Sequence, residues 1–109
     1  MNRDERIGLN EAVFREVNER ISDLAENFGL GDQQLDLVCE CGDPDCVERI
    51  SMSRSEYEQL RSHPTLFAVH AGHDKPEIEE LLARRGSYDV VRKREGEPAE
   101  VARETDPRS

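Results

Sequence analysis

The sequence has no tryptophan, three phenylalanines and two tyrosines, and apolar residues make up 35% of its 109 positions. So little apolar mass leaves a thin core, of the kind commonly reinforced by a metal, a disulfide or a partner. No apolar run approaches the roughly 18 residues that a membrane span needs. No basic segment followed by an apolar one opens the chain, so no secretory signal is expected. Lysine is scarce, 2 against 13 arginines, a bias that points to a GC-rich genome. Basic charge is also in deficit: 15 Lys and Arg stand against 25 Asp and Glu, a net charge of −10. An isoelectric point near 4.7 argues against gripping nucleic acid by its phosphates, though not against imitating nucleic acid. Cysteines number three, all between positions 39 and 46. An odd count without a secretory signal does not make a disulfide framework, and the expected compartment is the reducing cytoplasm.

Periodicity predicts a helix over 3–28. Ile7, Phe14, Val17, Ile21, Leu24 and Phe28 recur every three or four residues, and Asn10 fills the missing place in the seam. Asn2 is the expected cap with Glu5 reciprocal to it, Gly8 weakens the first turns, and Asn10 is a second candidate start. Gly29 suits the left-handed residue after the last turn, Leu30 the apolar contact of that cap, and 31–34 a linker. Leu35, Leu37, Cys39 and Cys41 then alternate with Asp36, Val38 and Glu40, which reads as a strand running into a turn at Gly42-Asp43-Pro44-Asp45. A return strand over 47–52 makes a hairpin with the cysteines at its tip. Ser53 and Glu56 form a capping box for a short helix through Arg61 that buries Tyr57 and Leu60 and ends at His63-Pro64. A third strand covers 66–70. Asp74 and Glu77, with Pro76, introduce a third helix that turns Ile78, Leu81 and Leu82 inward and stops at Gly86. Tyr88 to Arg92 is the fourth strand, parallel to the third through a right-handed crossover. Beyond Arg94 the chain is dense in charge, with Val101 its one sizeable apolar residue: a loose helical turn or disorder.

The expected class is α+β, in the order αββαβαβ: an N-terminal amphipathic helix, then a small mixed four-stranded sheet with two helices. The expected division is an arm over 1–31, a core over 32–94 and a charged tail over 95–109, with the first helix either packed on the sheet or standing apart.

The chemistry concentrates in Cys39-Glu40-Cys41-Gly42-Asp43-Pro44-Asp45-Cys46. Zinc takes four soft or borderline ligands in a tetrahedron, and thiolate is its preferred anion. Cys39 and Cys41 project to one side of an extended chain, and Gly42 and Pro44 allow the turn that returns Cys46. The fourth ligand is expected to be His73, in the loop after the third strand, with Asp74 placed to orient its ring. His70 is the runner-up, and His63 suits solvent. Three buried thiols without metal, and a disulfide between two of them under oxidative stress, are the competing readings.

The string CECGDPDC, the later GHD around His73, the ending ETDPR and an NEAxFRExN pattern at Asn10, Glu11, Phe14, Arg15 and Asn18 resemble a family of small uncharacterised actinobacterial proteins. The likeness covers most of the chain. It implies a ligand set of the three cysteines with His73 rather than His70, and an actinobacterial lineage.

Asn10, Phe14, Arg15 and Asn18 form a stripe on the first helix, a docking surface or homodimer seam if exposed and an ordinary packing face otherwise. Asp43 and Asp45 lack the ligand series of a calcium loop. Arg84-Arg85 and Arg92-Lys93-Arg94 suit ion-paired surface. No phosphate loop, G-x-S-x-G or H-E-x-x-H occurs, and the H-x3-C-x2-C order of zinc anti-sigma factors is missing. The expected function is a non-enzymatic structural-zinc adaptor or regulator binding another protein, with a transcription or signalling component as one candidate partner. A thiol redox or metal sensor on the same cysteines is the alternative, and a small zinc hydrolase a distant third.

Overall fold

The computed structural model describes residues 2–29 and 32–108. The contact expected of Leu30 and the start of the linker at Gly31 lie outside the described residues. The elements run α1 (Arg3–Asn27), β1 (Gln34–Val38), β2 (Arg49–Ser53), α2 (Arg54–Arg61), β3 (Leu66–His70), β4 (Glu79–Arg84), β5 (Tyr88–Lys93) and α3 (Glu97–Glu104). The class is α+β, with three helices and five strands among the described residues, the strands in two antiparallel sheets, β1-β2 and β3-β5-β4.

Local signals act where expected. Asn2 accepts the Glu5 N–H at 2.7 Å to cap α1, and Gly29 follows the helix with φ +65°. At α2 both halves of the Ser53–Glu56 capping box are present, and Tyr57 and Leu60 are buried.

Four expectations are corrected. The segment read as a helix through Ile78, Leu81 and Leu82 turns once at Lys75–Glu79 and then extends as β4, with a bulge between Leu81 and Ala83. Its residues are good helix formers, but hydrogen bonds to β5 outweigh that preference. The strand at 66–70 and the strand beginning at Tyr88 are therefore antiparallel neighbours, not a parallel pair around a crossover. The single four-stranded sheet is replaced by two sheets, and residues 97–104 form the regular helix α3, with Pro98 in its first turn.

The apolar seam of α1 is not its inward face: Ile7, Phe14 and Ile21 are half-buried, and Val17, Leu24 and Phe28 are exposed. The inward row is Glu11, Arg15, Asn18, Ser22 and Ala25, each one residue beyond a seam position and so rotated by about 100°. Polar side chains point inward because each finds a partner. Asn18 donates to Val38 O and accepts from Val38 N, both at 2.9 Å, and so closes the outer edge of β1 as a neighbouring strand would. Arg15 donates to Pro64 O and Ala102 O at 2.6 and 2.8 Å, with its guanidinium 4.6 Å above the Phe67 ring. Its Nε has no hydrogen-bond partner; the ring face is the compensation it has. Glu19 pairs with Arg61 at 2.7 Å, and Arg61 reaches Asp106 at 2.5 Å.

Lys93, read as surface charge, is buried between Glu11 and Glu79, with 2.5 Å to Glu79. Around these charges lie two apolar clusters. One joins Leu35, Leu37, Ile50, Met52, Tyr57 and Leu60. The other joins Cys39, Cys41, Phe67, Val69, Val91 and Ala102, and so carries the cysteines into the interior.

Candidate metal centre

Leaving β1, the chain runs through Cys39, Glu40 and Cys41 before turning at Gly42, whose φ is +81°. Glycine is required twice over. A side chain at φ > 0 is strained, and a Cβ there would lie 2.7 Å from Glu11 Cγ and 2.9 Å from Ile7 O. The turn therefore lies directly on α1, and Asn10 holds it by donating to Gly42 O at 3.0 Å. Asp43 Oδ1 accepts the Asp45 N–H at 2.9 Å, and Cys46 N donates to Asp43 O at 3.1 Å. This is the turn chemistry expected of Asp43 and Asp45, and it brings Cys46 back to the other two thiols. His73 arrives from the β3–β4 loop, its N–H donating to His70 O at 2.9 Å.

Cys39, Cys41, Cys46 and His73 each direct one ligand atom into a group whose members all lie within 4.8 Å of one another. His73 Nδ1 is 3.6 Å from Cys39 Sγ and 3.6 Å from Cys46 Sγ. Zinc–sulfur and zinc–nitrogen bonds of ordinary length, set at the tetrahedral angle, give a sulfur–nitrogen edge of about 3.6 Å. The residues present therefore fit a tetrahedral metal ion, and the three cysteines are free thiols with no disulfide among them.

Each sulfur has a backbone N–H donor, and Cys41 is the one held toward the thiolate. Cys39 Sγ accepts the His70 N–H at 3.1 Å. Cys41 accepts a backbone hydrogen bond from Asp43, and Cys46 one from Glu48. Cys41 is held down to about 4, first by a hydrogen bond from Cys39, with Asp43, His73 and Cys46 adding to it against the opposing effect of burial. Cys39 is pushed up as the donor of that bond and by burial, and burial pushes Cys46 up. The group shares its first negative charge with Cys41 as the favoured holder. A bound zinc ion would take all three as thiolates and leave a net charge of −1. Lys75 Nζ, which donates to Cys41 O, stands beside that charge.

His70 sits outside this group. Its ring centroid is 5.0 Å from that of His73, but its Nδ1 faces Ala71 O at 3.2 Å and its Nε2 faces Glu48 at 3.4 Å. Asp74 makes no hydrogen bond to the His73 ring among the described residues. The stripe of Asn10, Phe14, Arg15 and Asn18 is brought together on α1 but not toward solvent. Arg15 and Asn18 are fully buried, Phe14 is half-buried, and Asn10 is engaged with Gly42.

Glu40, Lys75 and the three N–H donors escaped sequence reasoning. Alternation put Glu40 on the outer face with Asp36. It is buried, accepting from Asn18 at 2.8 Å, Ala68 N at 3.0 Å and Tyr57 at 3.2 Å, and burial raises its pKa. Its place between two cysteines was the one available signal.

The chain is thus an α+β protein whose Cys3His group can hold a metal ion. No helix in the described residues is long and apolar enough to cross a membrane. Comparison with protein families, curated proteins and solved structures finds no match.

Proposed function

We propose that this chain is a zinc-stapled adaptor or regulator, without catalytic activity, that works in a reducing cytoplasm by binding another protein. The observation that carries the zinc assignment is the pair of 3.6 Å sulfur–nitrogen separations at His73, the edges of a tetrahedron around zinc. Four protein ligands fill the coordination shell, which favours a structural ion over one that activates water. The ion would join the β1–β2 hairpin to the β3–β4 loop and so tie the two sheets together, a staple for a thin core.

A thiol sensor is the second reading, and one feature favours it. Cys46 and His73 are only half-buried, which gives an oxidant a path to the ion. The N–H bonds to all three sulfurs weigh against it, because they lower the nucleophilicity of a thiolate.

The test is elemental analysis of untagged protein, wild type beside Cys46→Ser and His73→Ala. One zinc per chain, reduced in both variants together with thermal stability, is expected. A stable wild type free of metal would sink the assignment. Titration with peroxide then separates the two readings: retention of zinc favours the adaptor, and ejection at low dose with a change in partner binding favours the sensor.

A further inference from the structure

Because α1 turns its polar row inward, the Val17, Leu24 and Phe28 part of its seam is left outside, with Leu9 and Val13 beside it. Of the seven exposed large hydrophobic residues among those described, four lie on this helix, Leu9 at 37% exposure, Val13 at 59%, Val17 at 40% and Leu24 at 54%, and a fifth, Phe28 at 75%, is its C-cap. An apolar row, interrupted once at Arg20, on a chain so poor in apolar residues calls for a cover.

We infer that the cover is a second copy of the same helix, packed antiparallel about a two-fold axis between positions 18 and 19. Two features of the row point to self-pairing. The first is spacing: positions 9 and 28, and 13 and 24, are symmetric about that axis. Leu9 of one copy then faces Phe28 of the other, Val13 faces Leu24, and Val17 lies over the apolar stem of Arg20. The second is charge. Glu16 and Arg20 occupy one flank of the row and pair within the chain at 3.2 Å. Antiparallel helices set like flanks together, so Glu16 of each copy meets Arg20 of the other and the two pairs close into a box of alternating charge. Parallel pairing would set that flank against the opposite side, where Phe14 and Ile21 lie, and lose the match.

The row from Leu9 to Phe28 spans about 28 Å of helix. Five side chains over that length place the interface at the small end of specific ones, about 1,200 Å2 in total. An interface of that size fits a reversible dimer rather than an obligate one. This surface differs from the seam of Asn10, Arg15 and Asn18, and it does not depend on the metal assignment.

Sedimentation of the full chain from about 1 µM to about 500 µM tests it. A concentration-dependent shift from monomer to dimer is expected. Val13→Glu should raise the dissociation constant at least about tenfold while leaving the circular dichroism and metal content unchanged, since the side chain is exposed in the monomer. Glu16→Arg should weaken the dimer, and Glu16→Arg with Arg20→Glu should restore it. A wild type that stays monomeric throughout overturns the proposal and leaves the row to another partner. A dimer indifferent to Val13→Glu, or one weakened by Glu16→Arg but not restored by the double exchange, overturns the antiparallel geometry. Metal content measured on the same samples separates these failures from a failure of the zinc site.

Discussion

At the scale of single residues, Gly42 couples the metal turn to α1. Replacement by alanine would combine a positive φ with a Cβ pressed against Glu11 and against the backbone of Ile7. Each fault alone costs about 1–3 kcal/mol. Gly42→Ala is therefore expected to lower both thermal stability and zinc affinity, while Gly72→Ala, strained at φ +87° but meeting nothing, should lower stability less. Competition with a chromophoric chelator and thermal melts check both, and equal losses would refute the role given to the α1 contact. Glu11 makes a second case. Burial raises its pKa to about 8 against the opposing pull of Lys93. In the unfolded chain it ionises near 4.5, so between about pH 4.5 and 8 the folded state holds the extra proton. Stability from this group falls as pH rises through that window and levels off above it. Glu11→Gln should flatten the decline in urea melts taken at pH 5.5 and 8 with zinc saturating, and Lys93 keeps its bond to Glu79. Lys93→Met removes the buried cation that Glu11 and Glu79 share, leaves Glu79 without its partner, and should cost about 3–5 kcal/mol at neutral pH. A Glu11→Gln protein with the wild-type slope would dismiss the argument.

At the scale of elements, α1 meets α3 through Gly8. An added Cβ there would stand 2.7 Å from Val101 Cγ1, so the glycine that seemed only to weaken the helix makes room for its neighbour. Alanine gains about 1 kcal/mol of helix propensity, and the clash costs about 1–3 kcal/mol. Gly8→Ala should therefore destabilise, and should do so less in a Val101→Ala background, which removes Cγ1 but keeps the Cβ at 3.2 Å; additive effects in denaturant melts would contradict the contact. The same comparison shows what the sequence discloses of the fold. The capping box at Ser53, the strand at Leu66–His70 and the grouping of the three cysteines with His73 were legible because their signals are local or chemically rare. The rotation of α1 was not, because the partners that draw Glu11 and Arg15 inward lie 82 and 87 residues away, at Lys93 and Ala102. Nor was β4, whose short run Glu79–Arg84 satisfies helical spacing as well as a bulged strand.

At the scale of the molecule, the zinc assignment makes the fold conditional on metal. The ligands come from two segments, 39–46 and the loop at His73, and Cys39 and Cys41 belong to the same cluster as Phe67, Val69 and Val91. Without the ion, three thiols and an imidazole remain in a half-apolar site, and one link between the sheets is gone. Structural zinc supplies about 10–16 kcal/mol in small zinc domains, as much as the whole stability of an ordinary domain. Here the other cluster and the buried ion pairs share the load, so removal should leave a partly folded chain. Chelation is expected to lower the melting temperature sharply and to raise amide exchange at residues 39–48 and 71–75. The α2 segment, held by its capping box and by Tyr57 and Leu60, should remain protected. Restoring one equivalent of zinc should return both measurements. An unchanged melting temperature after complete removal would mean that the cysteine cluster packs without metal. Loss of all protection, α2 included, would mean that the ion governs the whole chain.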